Sequence, residues 1–272
     1  MKKQNPEQKA GKMSYLRYGN GEGLLIAIPG YGDRAVLFEA LREALSDRYR
    51  VYALELPQHG ASTWSEGTFG REDFEEAIRQ IMEWESTDKI SLMGYSFGGR
   101  VVLSLMEKWH PIVKEIFLVA PDGFNKEYIS RATFLPKSIR GILQAALKNP
   151  RWYVGLAKLL HRLGLLRKHS YWFVQTHMAT EKRRKRLFLF WNSIADFSYD
   201  EDSVKDLLEK NNIPVTLVLG RRDSVIPSSK WAAWSEGSPV VKLHWLEEGH
   251  RLVGNGLNDF LSTNEKENHT GE

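Results

Sequence analysis

Short apolar runs alternate with amphipathic stretches along most of this chain. Six of the runs are typical of buried strands: 24–28, 50–54, 89–93, 112–120, 214–219 and 240–246. Between them lie stretches with apolar residues at helical spacing: 34–45, 72–84, 99–108, 229–234 and 250–261, with a short helix predicted after Asp202. Strands separated by helices predict an α/β fold whose mostly parallel sheet carries helices on both faces.

The alternation breaks after Asp122 and resumes near Asp202. The residues between are rich in basic and aromatic side chains, and their apolar positions favour helices over strands. We therefore predict a helical lid inserted before the last two strands, with these boundaries: a disordered lead 1–12, a core 13–123 and 201–262, a lid 124–200 and a loose tail 263–272.

The composition of the 272-residue chain is that of an ordinary globular protein, with 42% hydrophobic and 26% charged residues. It contains no cysteine, which excludes a disulfide framework, a thiolate nucleophile and a cysteine-ligated metal. No apolar run approaches the ~18 residues that a transmembrane helix needs, and the basic N-terminus lacks the apolar stretch of a secretory signal. We expect a cytoplasmic protein.

Positive charge is concentrated in the predicted lid. Between Tyr128 and Trp191 there are 14 basic residues and one acidic residue, Glu181, which gives a net charge of +13. The rest of the chain holds 24 basic and 33 acidic residues, a net charge of −9. The lid is thus electrostatically distinct from the core, and its charge favours contact with anionic groups.

The strongest chemical signal is the pentapeptide Gly94-Tyr95-Ser96-Phe97-Gly98, which follows a predicted strand and opens a predicted helix. In this position G-x-S-x-G is typical of a nucleophile elbow, a strand-to-helix turn that exposes the serine hydroxyl. The glycines allow strand and helix to approach closely, and the helix N-terminus directs N–H groups at an anion formed beside the serine. Ser96 is therefore the predicted nucleophile.

A serine hydroxyl needs a base to take its proton. Of the eight histidines, His250 lies just after the last predicted strand and at the start of the last predicted helix, at the same edge of the sheet as Ser96. His59 also follows a strand, whereas the others lie in helical, lid, tail or strand-interior positions. We predict that His250 is the base.

The third member must be a buried carboxylate that orients the imidazole. Asp223 follows the predicted strand 214–219, and it gives the chain order serine, aspartate, histidine that accompanies a nucleophile elbow. Asp122, after the strand 112–120, is the alternative, although an aspartate before glycine at a strand end is more often a turn residue.

The tetrahedral intermediate of acyl transfer carries a negative charge that needs N–H donors. One donor is expected to be the backbone N–H of Phe97, directly after the nucleophile. The other is expected to be the N–H of Tyr31, in the early loop Ile28-Pro29-Gly30-Tyr31-Gly32, where the glycines let the backbone turn inward. Phe97 and Tyr31 form the predicted oxyanion hole.

With these residues the chain resembles the α/β-hydrolase superfamily, in particular esterase- and lipase-like members with a helical cap. The resemblance covers 13–123 and 201–262. The family pattern Asp-x-Pro-Gly-His-Gly-x-Ser reads here Glu55-Leu56-Pro57-Gln58-His59-Gly60-Ala61-Ser62, and the family's His-Gly-x at the oxyanion loop reads Pro29-Gly30-Tyr31. Serine at position 96 is unlike the carboxylate nucleophile of haloalkane dehalogenases and epoxide hydrolases.

The resemblance implies a serine hydrolase without metal or cofactor that cleaves a small-molecule carboxylic ester through an acyl-enzyme. Thioesterases, C–C bond hydrolases, amidases and perhydrolases share the triad, and a small-molecule-binding protein without turnover can retain it. The sequence leaves these alternatives open. It contains no nucleic-acid recognition module, so no nucleic-acid partner is expected.

Substrate choice is expected to reside in the lid. Trp152, Trp172 and Phe188 are the predicted substrate-binding residues, as parts of an apolar pocket for an acyl chain. The basic run 182–186 precedes the apolar run 187–191. We interpret the basic run either as the solvated face of a lid helix, or as a basic rim that contacts anionic substrates or an anionic membrane surface.

Overall fold

A computed structural model of the chain describes residues 9–10, 12–64, 68–124, 155, 158–164, 175, 178 and 180–269. Its strands are β1 (Lys9–Ala10), β2 (Met13–Tyr18), β3 (Gly23–Ile28), β4 (Tyr49–Leu54), β5 (Ile90–Tyr95), β6 (Val113–Val119), β7 (Val215–Gly220) and β8 (Val241–Leu246). Its principal helices are α1 (Arg42–Leu45), α2 (Arg71–Trp84), α3 (Phe97–Trp109), α4 (Glu181–Ser193), α5 (Glu201–Lys210), α6 (Ser228–Ser235) and α7 (Asn255–His269). Short 3-10 helices cover Ala35–Leu41, His110–Ile112 and Ile194–Phe197.

The chain divides into two compact units. The first comprises Met1–Ser65, Gly70–Asn125 and Phe197–Glu272, and the second comprises Glu66–Phe69 and Lys126–Asp196. The first unit contains every strand that the described residues form. The second is the larger part of the segment between β6 and β7, where the charge and pattern of the sequence change.

The described strands form one mostly parallel sheet in the order β1-β2-β4-β3-β5-β6-β7-β8. β2 pairs antiparallel with both β1 and β4, and every later pair across the sheet is parallel. The strand order reverses at β3, which pairs with β4 on one side and β5 on the other. In open α/β sheets the crevice beyond the carboxyl ends of the strands at such a reversal is where ligands bind.

The centre of the sheet is buried on both faces, which explains why its strands read as continuous apolar runs. Every residue of β5 is buried, as are five of the six residues of β3. Helix α3 packs against β3, β5 and β6 and contacts α2 and α5, whereas α1 packs with α7. These two helix groups cover the sheet, and the predicted α/β-hydrolase fold is confirmed.

The second unit contains α4, the helix that carries the basic run. Thr180 caps its N-terminus, with its hydroxyl oxygen 3.3 Å from the N–H of Arg183. The hydroxyl of Ser193 at the other end accepts a hydrogen bond from the N–H of Phe69 at 2.8 Å. Throughout the part of the chain that the structure describes, the helices are too short or too polar to cross a bilayer.

The two ends of the chain differ from the prediction. Lys9–Ala10 lies in the lead predicted to be disordered but pairs with β2, and the other residues of 1–11 lie outside the described residues. The predicted loose tail is helical up to His269, because no glycine or proline interrupts 262–269 and nothing stops α7 there. Residues 270–272 lie outside the described residues.

Helix α7 also begins later than predicted, at Asn255 rather than at His250. The N–H of Leu252 donates to His250 O at 3.0 Å and closes a turn. This turn buries Leu252 and Val253, so the chain reaches a helical path only after Gly254. His250 therefore lies in the loop between β8 and α7.

Candidate active site

Ser96 occupies a sharp turn between β5 and α3. Its backbone angles, φ 51° and ψ −118°, fall in a region that residues other than glycine rarely adopt. The N–H of Ser96 donates to Val119 O at 3.0 Å, and its carbonyl accepts from the N–H groups of Gly99 and Asp122, both at 2.9 Å. Strain of this kind persists where the surrounding structure over-determines it, and it is common at functional sites.

Two glycines of the pentapeptide make this turn possible. A Cβ atom on Gly98 would lie 1.9 Å from Ile28 O, and one on Gly94 would lie 2.5 Å from Gly98 O. Both neighbours are backbone atoms, so a side chain at either position would force the strand and helix apart. The spacing of the glycines thus has the close-approach role that the sequence predicts.

The imidazole of His250 lies between Ser96 and Asp223. Its Nε2 is 3.0 Å from Ser96 Oγ, and its Nδ1 is 2.8 Å from Asp223 Oδ2. A carboxylate can only accept hydrogen bonds, so Nδ1 carries the proton and Nε2 presents a lone pair to the serine hydroxyl. The structure therefore brings the three predicted catalytic residues into one hydrogen-bonded chain.

Asp223 is held by the loop after β7. Its side chain is fully buried, and its Oδ1 accepts from the N–H groups of Val225 at 2.7 Å and Ile226 at 3.2 Å. With the imidazole, the carboxylate receives three donors, which satisfies a buried anion and fixes its direction. Among the described residues, the groups that contact this carboxylate are the imidazole and the two amides, and they orient His250.

Asp122, the alternative acid, has a different partner. Its Oδ2 accepts from Arg100 Nε at 2.8 Å, and Arg100 is 3% exposed. Burial acts to lower the pKa of Arg100, but the charge and hydrogen bond of Asp122, together with Tyr199 and Glu201, raise it overall. The Asp122 N–H binds Ser96 O, so this residue supports the turn rather than the imidazole.

Phe97 directly follows Ser96, and the loop that contains Tyr31 reaches the same turn. Phe97 is the first residue of α3, and the amides of a first helical turn have no acceptor within the helix. The Tyr31 loop reaches the elbow at Gly30, where a Cβ atom would lie 3.1 Å from Ser96 Cβ. The Gly32 amide donates to His59 and the Asp33 amide to Gly30 O, so neither is available as the second donor.

Sequence reasoning missed two side chains that support this site. The Tyr95 hydroxyl donates to His250 O at 3.0 Å, and burial raises the pKa of Tyr95, which keeps that donor protonated. His59 accepts from Gly32 in the oxyanion loop. Tyr95 stands at a variable position of its motif and gave no signal, whereas His59 could have been found from its place after β4.

The predicted lid residues are only partly described. Trp152 and Trp172 lie outside the described residues, and Phe188 is half-buried on α4. The basic run proves uneven: Arg184 is 5% exposed, its guanidinium donates to Met178 O at 2.9 Å, and Lys185 pairs with Glu181 at 2.8 Å. Arg184 thus fits neither interpretation of the basic run, because it shares a face of α4 with the buried Leu187.

No group of three His, Cys, Asp or Glu side chains within the described ranges is arranged to hold a metal ion. A hydroxyl aligned with a neutral imidazole and a buried carboxylate can act as a nucleophile toward an electrophilic carbon.

The sheet order and the strand-turn-helix at Ser96 define the class of this protein as an α/β hydrolase. The chain matches the family model for the alpha/beta hydrolase fold over residues 23–250 and belongs to that family. The match extends across both the core and the inserted segment.

Individual relatives resemble smaller parts of the chain. It is 30% identical over 151 residues to a 1-acylglycerol-3-phosphate O-acyltransferase of Arabidopsis thaliana, which covers 53% of this chain and 36% of that protein. It is 31% identical over 94 residues to the pimeloyl-[acyl-carrier protein] methyl ester esterase of Salmonella heidelberg, covering 35% and 34%. The chain thus spans about a third of the length of each of these two relatives.

A solved structure matches most of the chain. A thermophilic esterase from Thermogutta terrifontis superposes with a TM-score of 0.63 and 18% identity, and the match covers 94% of this chain and 92% of the esterase. At this identity the likeness establishes the fold alone. Together with the family match, it shows that the chain has the alpha/beta hydrolase fold.

Proposed function

We propose that this chain is a serine hydrolase that cleaves a carboxylic ester of a small molecule through an acyl-enzyme intermediate. The observation that carries the proposal is the continuous hydrogen-bonded chain from Ser96 Oγ through His250 to Asp223. A nucleophile, a base and an orienting carboxylate are the groups that this chemistry needs. The esterases among the similar proteins support an ester substrate.

The acylation step would use each of these groups in turn. Ser96 Oγ attacks the carbonyl carbon of the ester while His250 Nε2 takes the hydroxyl proton. The oxyanion that forms is stabilised by the N–H groups of Phe97 and Tyr31. The bond from the carbonyl carbon to the alkoxy oxygen then breaks, and His250 gives its proton to the departing alkoxide.

Deacylation repeats the sequence with water as the nucleophile. His250 removes a proton from water, the hydroxide attacks the acyl-enzyme, and Ser96 leaves with the proton returned by His250. The carboxylic acid is released and the site is restored. Asp223 holds the imidazole in the reactive tautomer and stabilises its charged form in both steps.

Acyl transfer to an alcohol is the second candidate, because one relative is named as an acyltransferase. The same acyl-enzyme would form, and an acceptor hydroxyl would replace water in the second step. Thioester hydrolysis and C–C bond hydrolysis use the same triad and differ in the leaving group. A binding protein without turnover would keep the site but release no product.

Labelling with a fluorophosphonate tests the nucleophile. The probe should attach to the wild-type chain at Ser96, and Ser96→Ala should abolish labelling and lower ester turnover at least ~10³-fold. Ser104→Ala is the matched control, since Ser104 is a buried serine on α3 whose hydroxyl donates to Val101 O. Labelling of the Ser96→Ala variant would overturn the assignment.

A substrate panel tests the bond that is cleaved. Esters of increasing acyl length, the matching thioesters and a vinylogous diketone should be compared by kcat/KM, with and without an alcohol acceptor. The proposal expects the esters to lead and the carboxylic acid to be the product. Predominant formation of a new ester would favour acyl transfer to an alcohol. Stoichiometric binding without turnover would favour a binding protein.

We also propose that the second unit contacts an anionic membrane surface. Leu159 and Leu163 are 52% and 62% exposed, one helical turn apart, and the exposed Lys158 and Arg162 lie beside them. Apolar side chains next to basic ones suit the boundary between acyl chains and anionic headgroups. The net charge of +13 between Tyr128 and Trp191 would orient this unit toward such a surface.

Vesicle binding tests the membrane contact. Neutralising Lys158, Arg162 and Lys182 together should weaken binding to phosphatidylserine vesicles, by roughly fivefold per residue if each contributes about 1 kcal/mol. Replacing Lys210 and Lys230, two exposed lysines of the first unit, by glutamine is the control. Equal binding by the triple variant and wild type at low salt would overturn the proposed membrane contact.

A further inference from the structure

The loop after β3, residues 29–34, is packed tightly against the nucleophile elbow. A Cβ atom on Gly98 would lie 1.9 Å from Ile28 O and 3.0 Å from Pro29 O, and one on Gly30 would lie 3.1 Å from Ser96 Cβ. The loop therefore touches the residue that reacts. Small rotations of its peptide groups change where its N–H groups point relative to an oxyanion on the Ser96 adduct.

The path of this loop is set by two hydrogen bonds of its own amides. The N–H of Asp33 donates to Gly30 O at 3.1 Å and closes a turn within the loop. The N–H of Gly32 instead leaves the loop and donates to His59 Nε2 at 3.0 Å. Gly32 has a φ of 92°. Glycine adopts positive and negative φ values about equally readily, so the hydrogen bond to His59 helps to fix this one.

His59 is held so that it can act only as an acceptor toward Gly32. Its Nδ1 is 2.8 Å from Pro57 O, and a carbonyl cannot donate, so Nδ1 carries the proton and Nε2 offers its lone pair. The residue is 3% exposed, and the ring of Tyr31 packs edge-on against it at 5.7 Å between centroids. Its position and tautomer are both fixed.

We infer that His59 is a positioning residue for the oxyanion hole, which acts by holding the Gly32 N–H and thereby the peptide groups around Tyr31. This inference rests on the proposed function, since it assigns a role within the same site. In the described contacts, His59 binds neither Ser96 nor the other two residues of the triad. Its loss should weaken stabilisation of the transition state while leaving binding of the substrate nearly unchanged.

Three substitutions separate the role of the acceptor from that of packing. His59→Leu removes the acceptor and keeps most of the volume. His59→Gln can place a carbonyl oxygen near the former Nε2, whereas the shorter His59→Asn can keep a donor toward Pro57 O but does not reach Gly32. His110→Leu is the matched control, because His110 Nδ1 also lies within 3.1 Å of a backbone carbonyl, at the far end of α3.

The expected result is a loss in kcat with an unchanged KM. Misplacement of a catalytic donor by about 1 Å costs on the order of 10²-fold, so His59→Leu and His59→Asn should lower kcat by about 10- to 100-fold. KM should stay within about twofold, and His59→Gln should recover most of the rate. The inhibition constant of a boronic acid, which forms a tetrahedral anion on serine, should rise in parallel with the loss in kcat.

Each outcome decides the inference. If His59→Leu does not fold, His59→Gln and His59→Asn can be compared instead. Both carry a polar amide, and only the glutamine can accept the hydrogen bond from the Gly32 N–H. Equal kcat for those two, or a boronic acid constant that stays at the wild-type value, would overturn the inference. The proposed function fails by a different result, namely if the wild-type protein is not labelled by fluorophosphonate. If wild type is labelled but the His59 variants keep the wild-type kcat, only the role assigned to His59 is overturned.

Discussion

The loops after β6 and β7 each present an aspartate at the same edge of the sheet, yet the two carboxylates have different partners. Asp223, after β7, has a fully buried side chain and accepts hydrogen bonds from the imidazole of His250 and from two backbone amides. Asp122, after β6, keeps 23% exposure of its side chain and pairs with the guanidinium of Arg100. Position at a strand end therefore does not decide which aspartate can orient a base.

What decides between them is the neighbouring charge. Arg100 lies on α3, one turn after Ser96. Its guanidinium binds the Asp122 carboxylate, which is therefore not available to an imidazole. The Tyr199 hydroxyl lies 3.3 Å from Asp122 O and fixes the same loop from the other side. The β6 loop thus supports the backbone of the elbow, and the β7 loop supplies the acid.

The sharpest way to break this comparison is to neutralise each aspartate. Asp223→Asn should lower kcat by about 10²- to 10⁴-fold, because the amide favours the wrong imidazole tautomer. Asp122→Asn should lower kcat less than about tenfold, since its backbone N–H still binds Ser96 O. Steady-state ester hydrolysis measures both, and the reverse ranking would move the catalytic acid to Asp122.

Removing the cation tests the structural side of the comparison. Arg100→Met leaves the Asp122 carboxylate without its partner, and breaking a buried ion pair costs about 3 kcal/mol or more. Urea unfolding should show only part of that loss in the free energy of unfolding, because the Asp122 side chain is 23% exposed and water can hydrate the unpaired carboxylate. The double variant Arg100→Met/Asp122→Asn should regain part of it, whereas equal stability of the single and double variants would show that the pair contributes only packing.

The parts of this site that could be predicted from the sequence are those fixed by local geometry. Gly94 and Gly98 at fixed spacing after a buried strand predict the elbow, because only glycine tolerates the backbone contacts found there. The positions of Asp223 and His250 after the last two strands follow from the parallel sheet, since the carboxyl ends of its strands share one edge.

The parts that could not be predicted depend on contacts between distant residues. Arg184 is one of five consecutive basic residues, and nothing in that run indicates which member is buried. The partner of Asp122 lies 22 positions earlier in the chain, and His59 reaches the oxyanion loop across 27 positions. The start of α7 was missed because a turn that buries Leu252 and Val253 carries the same apolar pattern as a helix.

The smallest effect expected is a shift in the pH dependence, and it separates the two aspartates without relying on absolute rates. An imidazole must be neutral to act as a base, so the rate should fall in acid as His250 gains a proton. The Asp223 carboxylate stabilises the protonated imidazole, and removing its charge disfavours that form. The acid limb should therefore move to lower pH in Asp223→Asn. In Asp122→Asn the limb should stay where it is in wild type, because Arg100 already balances that carboxylate. Fluorophosphonate labelling rates between pH 5 and 9 would measure the limb even in a slow variant, and an equal shift in both variants would mean that the two loops do not differ in their electrostatic effect on the base.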